Sequence, residues 1–455
     1  MKLKLVYAPS PILNRKAISV PKITPDLVKL ANNMLETMVD GNGIGLAAPQ
    51  VNQNVRLIVV GNSPEKEGED YIPTTILFNP KITKFSSEKE FATEGCLSIP
   101  GITGVVERSK SITVEFLDVD GNKQTLNASD LYARVIQHEV DHLEGVLFTD
   151  RLRHYSIVFY GTSDFAVPAL EELLLHPQFE LKAIVTETDK PAGRGHQLTA
   201  SPVKKFALDN KIKVLQPMSL NCQHKNATKA QSATNAFQDL SKIKPDFQIV
   251  ASYGKIIPQE FLDLAKLINL NIHPSLLPKY RGASPIQSAI LHGETQTGVA
   301  VMAMAAEMDA GPVVTMYRHN IDPDENADQL SKRLAESGAA QLIMTLEEML
   351  SNKSSLYEQD HTKATFTKKF ESVDGLIDWT KSPIDLHNFV RALTSKPGAF
   401  TQIDGQNVKI LKTHLTEGKL TIDLVQLPGK KPFSMSDLKN GYPKMYQELL
   451  NQSNK

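Results

Sequence analysis

Gln137-His138-Glu139-Val140-Asp141-His142-Leu143-Glu144-Gly145 is the most informative run in the N-terminal part of this chain. Two imidazoles four positions apart on a helix share one face and can grip a single metal ion. Glu139, beside the first of them, can serve as general acid and base toward a water at that ion. The flanking residues support a helix. Ser129 is an N-cap residue type, Leu131, Val135, Ile136, Val140 and Leu143 form an apolar stripe, and Gly145 can end the helix. Read alone, the run also fits a solvated helix with two chance histidines.

A metal site needs further ligands, and Cys96 in Glu94-Gly95-Cys96-Leu97-Ser98 is the candidate. Thiolate plus two imidazoles leaves a fourth position open for water, which is a catalytic arrangement. A lone cysteine is more often a small buried hydrophobe, but a Glu-Gly approach is unusual for a core strand. Upstream lies Gly43-Ile44-Gly45-Leu46-Ala47-Ala48-Pro49-Gln50, after a helix expected from Leu27 to Met38. Its glycines, Gly45 among them, and its alanines allow close backbone approach to a ligand. Gln50 offers an amide to a developing oxyanion. The plainer reading of this run is a helix C-cap and turn.

These three runs, in this order, resemble peptide deformylase over about residues 1 to 150. The family patterns G-x-G-h-A-A-x-Q, E-G-C-h-S and Q-H-E-h-D-H-L-x-G are intact at Gly43 to Gln50, Glu94 to Ser98 and Gln137 to Gly145. The resemblance implies Cys96, His138 and His142 as metal ligands and Glu139 as the acid and base. It implies that Gln50 and the Leu97 amide hold the tetrahedral oxyanion. The implied reaction removes N-formyl from the initiating Met of nascent polypeptides at the ribosome. The family often uses Fe2+ and accepts Zn2+, Ni2+ or Co2+; a mixed sulfur and nitrogen site does not choose among them.

At 455 residues the chain exceeds one such domain. With 41% apolar and 22% charged residues and a net charge of −1, it reads as an ordinary globular protein, and any basic surface must be local. Two cysteines make no disulfide framework, which fits a reducing cytoplasm. The Met-Lys-Leu-Lys start lacks a signal-peptide core, and no window reaches membrane-span length.

A second fold is expected directly after the metal helix. Strands are predicted at Ser156 to Gly161, Leu181 to Val185, Phe247 to Ala251, Leu267 to Ile272 and Val299 to Met304. Helices are predicted at Phe165 to Leu175, Ser201 to Leu208 and Ser284 to Leu291. Alternation of this kind suggests a parallel sheet with right-handed crossovers. The Tyr160-Gly161-Thr162 turn lacks a G-x-G-x-x-G pattern and carries no dinucleotide reading. Asn271-Ile272-His273 places Asn and His on one strand face. The turn-rich Pro274-Ser275-Leu276-Leu277-Pro278 follows at the carboxyl end of the strand, where open α/β sheets bind ligands. Asp309 is an acidic partner candidate. Together such residues can run an acyl transfer: His moves protons, Asn holds the tetrahedral oxygen and Asp orients the imidazole.

Lys190 to Gly195, Ser252 to Gly254, Asn271 to Gly282 and Met308 to Gly311 together resemble methionyl-tRNA formyltransferase from about Tyr155 onward. The resemblance implies Asn271, His273 and Asp309 as the catalytic set. It implies Ser275, Leu276, Leu277 and Pro278 along the site for 10-formyltetrahydrofolate. Arg194, in the P-A-G-R-G loop, is implied to contact the acceptor end of initiator Met-tRNA. Asp360 to Lys369 reads as a polar linker, and the region beyond resembles the family's small OB-like β-barrel that holds tRNA. Counting from Lys368, basic residues exceed acidic ones by about four. Lys409, Lys412, Lys430 and Lys431 are the phosphate-contact candidates.

The expected architecture is multidomain. Residues 1–153 form an α+β peptide-deformylase-like metal domain, and 154–359 an α/β Rossmann-like formyltransferase domain. Residues 360–369 are a linker, and 370–455 an OB-like tRNA-binding domain. The deformylase-like part passes straight from Asp150-Arg151-Leu152 into the next fold, without the tail common in its relatives. The expected function is bifunctional: formyl is placed on the Met of initiator Met-tRNA and later removed from the polypeptide. Neither membrane nor DNA is an expected partner. Two alternatives stay open: a deformylase-like half acting as a docking module, and a transferase acting on a small amine such as glycinamide ribonucleotide.

Overall fold

The computed structural model describes residues 1–62, 71–192 and 197–453. The chain divides into two compact units. The first comprises Met1–His154 with His176–Phe179 and Leu346–Ser354; the second comprises the remainder.

In the first unit α1 (Pro25–Asp40) starts at Thr24, whose hydroxyl accepts from the Leu27 amide, with Pro25 preset for the first turn. Five strands form one antiparallel sheet: β1 (Gly45–Ala47), β2 (Leu57–Val60), β3 (Thr75–Phe85), β6 (Ser111–Leu117) and β7 (Lys123–Ser129). Between β3 and β6 in sequence, β4 (Lys89–Cys96) and β5 (Ile99–Ser109) make a separate hairpin. Every residue of β2 is buried, so it reads as a continuous apolar run rather than an alternating one. The metal-motif helix α2 (Asp130–Glu144) lies against β1 and β2, and Ala133, Val135, Ile136 and Leu143 join the core with Ile58, Val60 and Val114. Ser129 does stand at its N-cap, but its hydroxyl makes no capping bond. Gly145 ends the helix in the left-handed region, φ 74°.

The second unit is built on a seven-stranded sheet of order β12-β9-β8-β13-β14-β16-β17. The members of that sheet are β8 (Tyr155–Gly161), β9 (Phe179–Val185), β12 (Val214–Leu215), β13 (Phe247–Ala251), β14 (Ile268–His273), β16 (Gln296–Ala303) and β17 (Val313–Asn320). A small hairpin, β10 (Lys190–Ala192) with β11 (Gln197–Thr199), precedes β12. Connecting helices are α3 (Val167–Leu175), α4 (Pro202–Asp209), α5 (Ala227–Ile243), α6 (Gln259–Leu262) and α7 (Pro285–Leu291), and the long α8 (Ala327–Leu350) follows β17. The Asn226 side chain caps α5 by accepting from the Lys229 amide.

Two expectations change. The all-parallel reading holds for β8, β13 and β14, but β16 pairs antiparallel to β14, and β17 antiparallel to β16. A buried apolar run announces a strand without its direction. The polar linker is also not free chain: β18 (Phe366–Thr367) pairs in parallel with β15 (Arg281–Gly282), and His361–Lys363 forms a helical turn capped by Asp360.

Beyond this connector, α9 (Pro383–Ala392) is followed by a four-stranded antiparallel sheet in chain order. Its strands are β19 (Phe400–Ile403), β20 (Gln406–Thr416), β21 (Lys419–Gln426) and β22 (Pro432–Ser434). Two last helices, α10 (Met435–Gly441) and α11 (Pro443–Ser453), close its core of Val408, Ile410, Val425, Leu438 and Leu449. Arg391 and His387 on α9 bond to backbone carbonyls at Asp322, Glu325 and Pro323, so this β domain is tied to the loop before α8. Among the described residues no helix is long and apolar enough to cross a membrane.

Candidate functional site

In the first unit, helical spacing puts His138, Glu139 and His142 where α2 faces the end of the β4–β5 hairpin, which carries Cys96. The ligand atoms of Cys96, His138 and His142 lie within 4.8 Å of one another. Cys96 Sγ is 3.3 Å from His142 Nε2. Metal bonds of about 2.3 Å to sulfur and 2.0 Å to nitrogen at tetrahedral angles separate such donors by about 3.5 Å. The donor set therefore fits a divalent cation.

Charged residues brace this cluster. The Glu94 carboxylate accepts from Arg108 at 2.9 Å, from Arg134 at 2.8 Å and from His138 Nδ1 at 2.9 Å. Its acceptance from Nδ1 leaves Nε2 of His138 to face the thiol, the orienting role carboxylates play behind metal-binding histidines. Burial opposes the charge on Glu94, yet hydrogen bonds from Arg108 and His138 hold its carboxyl well below the usual range. Arg108 also bonds Asp141, which accepts from Arg151 at 2.6 Å. Asp141, the fourth residue of the His-Glu-Val-Asp-His run, thus anchors the helix from behind.

Burial lowers the affinity of His138 for a proton, but bonds to Cys96 and Glu94 outweigh it and carry the imidazole to about 10. A proton on that nitrogen stands where a cation would be held. Burial, and then the charge of His138, depress His142. Glu139 is pushed up to about 7, chiefly by burial, and its Oε2 is buried with no hydrogen-bond partner. A carboxyl with that affinity and a bare oxygen is suited to exchange protons near neutrality.

Gln50 is 1% exposed. Its Oε1 accepts from the Ala47 amide at 2.8 Å, which leaves Nε2 aimed at Cys96 Sγ, 3.4 Å away. Leu97 sits in the tight turn between β4 and β5, its side chain packed over Gly43. Gly45 has a different reason from the expected ligand approach: a Cβ there would collide with the Glu139 carboxylate and with Val135. A cavity of about 500 Å³ opens on these groups, lined by Ile44, Gln50, Cys96, Leu97, His138 and Glu139 among others. Apolar walls come from Ile99, Ile102 and Leu131.

In the second unit, Asn271 and His273 share one face at the end of β14, 8% and 4% exposed. Asn271 Nδ2 is 3.5 Å from Asp309 Oδ1, and His273 Nδ1 is 3.7 Å from Asp309 Oδ2. The three groups therefore meet, although the His–Asp separation exceeds a direct hydrogen bond. His273 Nε2 is 3.0 Å from the Tyr280 carbonyl, which can only accept, so this nitrogen carries a hydrogen. Nδ1 is left toward Asp309. Asp309 Oδ2 is held at 2.7 Å by the Gly282 amide.

The loop after β14 is packed into the domain. Ser275 is fully buried, and its hydroxyl donates to the Lys279 carbonyl. Leu276 packs against Gly298, and Leu277 joins a small core with Ala300, Met302 and Val313. Pro278 and Leu277 border a cavity of about 400 Å³ with Val313 to Met316 and Tyr357 to Asp360. The side chains of Ser275, Leu276 and Leu277 thus shape the loop from within. Arg194 lies outside the described residues. Lys409 and Lys412 stand on β20, while Lys430 and Lys431 occupy the turn between β21 and β22, so strand register brings the four to one sheet. Two groups went unread in the sequence. Arg108 and Arg134 carry no motif; Gln359 sits where composition suggests only the end of a domain.

Folds and sites together define a metallohydrolase-type domain joined to a formyl-group transferase. A family model for polypeptide deformylase matches residues 2–156, one for formyl transferase residues 155–346, and one for the formyl transferase C-terminal domain residues 369–419. The methionyl-tRNA formyltransferase of Thermotoga maritima is 37% identical over 308 residues, spanning 63% of this chain and 95% of that protein. That of Acetivibrio thermocellus is 39% identical over 261 residues, covering 57% and 80%. A class I type b peptide deformylase structure from Acinetobacter baumannii is 36% identical, covers 33% of this chain and 99% of that one, and aligns with a TM-score of 0.32. The chain belongs to the methionyl-tRNA formyltransferase family, with a polypeptide deformylase domain fused ahead of the transferase domains.

Proposed function

We propose that this chain both installs and removes the formyl group of the initiating methionine. The observation that carries the reading is the presence of two complete constellations, one in each unit: Cys96, His138 and His142 beside Glu139 and Gln50, and Asn271, His273 and Asp309 together. The proposed division of labour follows residues 1–153, 154–359 and 370–455, with 360–369 connecting the last two.

For deformylation, a divalent cation on Cys96, His138 and His142 supplies water activation and carbonyl polarisation; Fe2+ is the proposed physiological ion, with Zn2+ or Ni2+ competent. Glu139 receives the proton that water loses as its oxygen bonds to the formyl carbon. Gln50 Nε2 and the Leu97 backbone amide donate to the tetrahedral oxygen. Glu139 then delivers the proton to the departing amine as the C–N bond breaks. Formate and a free amino terminus result. Gly45 keeps the space that Glu139 needs.

For formyl transfer, the methionyl amine of Met-tRNA attacks the formyl carbon carried by N10 of 10-formyltetrahydrofolate. His273 takes the proton that the amine gives up, Asn271 donates to the tetrahedral oxygen, and Asp309 stabilises the imidazolium. The folate nitrogen leaves with a proton. Ser275 to Pro278 shape the folate-side loop. Arg194 and Lys409, Lys412, Lys430 and Lys431 contact tRNA phosphates, a role that makes binding steeply salt-dependent. Cytoplasmic access to Met-tRNA and to nascent chains completes the reading.

Paired variants of the full-length chain test it. His138→Ala abolishes release of formate from a formyl-Met peptide and leaves Met-tRNA formylation intact; Asn271→Ala does the reverse. Loss of both activities in either soluble, folded variant overturns the two-site account. A wild-type chain with bound metal and no peptide turnover would make the first domain a docking module. Formylation of glycinamide ribonucleotide but not Met-tRNA would replace the transferase substrate.

A further inference from the structure

The last residue of the transferase domain, Gln359, and the connector that follows it brace the transferase site. Gln359 is 7% exposed, and its amide is fully used. Oε1 accepts from Arg281 Nη2 at 2.7 Å and Nε at 3.2 Å. Nε2 donates to the carbonyls of Asp309 at 2.9 Å and Gly311 at 2.6 Å. Asp309 sits in the left-handed region, φ 52°, uncommon for a residue other than glycine and most accessible to Asn and Asp. The Gln359 side chain thus closes the turn that aims the Asp309 carboxylate.

The same segment holds the other half of the site. Thr365 accepts from the Arg281 amide through its carbonyl and from the Tyr280 amide through its hydroxyl, both at 2.8 Å. Gly282 pairs with Thr367, and a Cβ at Gly282 would come within 2.6 Å of the Thr367 carbonyl. Tyr280 presents the carbonyl that takes the His273 Nε2 hydrogen, and Gly282 the amide that binds Asp309. Arg281, 1% exposed, is anchored by Gln359 and by His361 Nδ1 at 3.0 Å; Glu307 is the nearest carboxylate, at 3.9 Å.

We propose that Gln359 is a positioning residue for formyl transfer, fixing the Asp309 turn and the Arg281 strand from the last position before the connector to the β domain. The inference rests on the transferase reading above and deepens it. Gln359 acts through Asp309 and touches no substrate in this account. Because its backbone leads through the His361–Lys363 turn into β18, the groups that Gln359 fixes adjoin the chain that composition marks as a linker.

Gln359→Glu in the full-length chain is the discriminating variant. A carboxylate still accepts from Arg281 but repels the carbonyls of Asp309 and Gly311, so it opens the turn without emptying the space. The kcat for Met-tRNA formylation then falls by about tenfold or more, while KM for Met-tRNA and for 10-formyltetrahydrofolate stay within roughly twofold. Deformylation of a formyl-Met peptide, read on the same sample, is unchanged. Gln359→Asn, which keeps the amide donors on a shorter arm, recovers part of the lost kcat. A Gln359→Glu enzyme with wild-type kcat overturns the proposal. So does a loss of rate that matches the loss of folded protein by circular dichroism and is not relieved in Gln359→Asn, since that is a stability effect alone. A wild-type chain that fails to formylate Met-tRNA removes the transferase reading itself, an outcome visible before any variant is compared.

Discussion

Gly45 and Glu94 carry the sharpest tests at the residue scale, because each controls a group it does not resemble. A methyl group at Gly45 meets the Glu139 carboxylate and Val135, and such overpacking costs about 1–3 kcal/mol. Relief by moving Glu139 displaces the proposed proton carrier. Gly45→Ala is therefore expected to lower kcat/KM for a formyl-Met peptide roughly ten- to a hundredfold, with metal content unchanged by elemental analysis. Retained activity would show that Glu139 has room the structure does not display. Glu94 is the common acceptor for Arg108, Arg134 and His138. Glu94→Gln removes the shared anion of two buried guanidiniums, of which Arg108 keeps Asp141, so the loss should reach at most about 3–5 kcal/mol. It also replaces the carboxylate behind the His138 ring by a weaker amide acceptor, so metal affinity should fall about ten- to a hundredfold. Thermal melting and a metal-competition titration check the two effects separately.

At the element scale, the start of the central sheet hangs on Asp246. Its carboxylate accepts from the Ser156 amide at 2.8 Å and hydroxyl at 2.7 Å, and from Lys266 at 3.2 Å, which joins the second residue of β8 to the residue just before β13. Burial pushes this carboxyl up, but the Ser156 and Lys266 bonds prevail and hold it below its ordinary value of 3.8. A depressed carboxyl contributes stability that is present above the ordinary value and lost as pH falls through the lower, folded one. Asp246→Asn should therefore cost about 1 kcal/mol at neutral pH, measured by urea unfolding, and wild type and variant should converge as pH drops below 3.8. A gap that persists or widens in acid would contradict the sign. The antiparallel β16 and β17 illustrate what periodicity leaves out. Their apolar residues marked a strand near Val299 to Met304, but direction depends on how the chain returns after α7, a long-range matter.

At the scale of the whole molecule, two chemistries with different needs share one polypeptide. Only the first unit offers a Cys and His donor cluster among the described residues. A chelator should therefore remove deformylation and spare Met-tRNA formylation, with Fe2+ or Zn2+ restoring the lost activity; loss of both would tie the transferase to the metal. An immunoblot should find one full-length species near 50.3 kDa. Two shorter bands would mean the domains act as separate proteins in the cell.

Much of the first site was legible because its chemistry is local. His138 and His142 share a helix face by spacing alone, with Glu139 beside the first, Gly145 ends that helix by its backbone freedom, and Asn271 and His273 share a strand face by alternation. Motif order also marked a deformylase-like part ahead of a formyltransferase-like part. What only the tertiary structure decided was who meets whom across long separations. Glu94, Arg108 and Arg134 converge from two strands and a helix; Gly45 yields its side-chain volume to Glu139; Gln359 crosses fifty positions to close the Asp309 turn. Periodicity tells which way a side chain faces. Hydrogen-bond partners and excluded volume are settled only when distant segments pack, and a polar run like Asp360 to Lys369 gives no local sign that its backbone will find a strand to pair with.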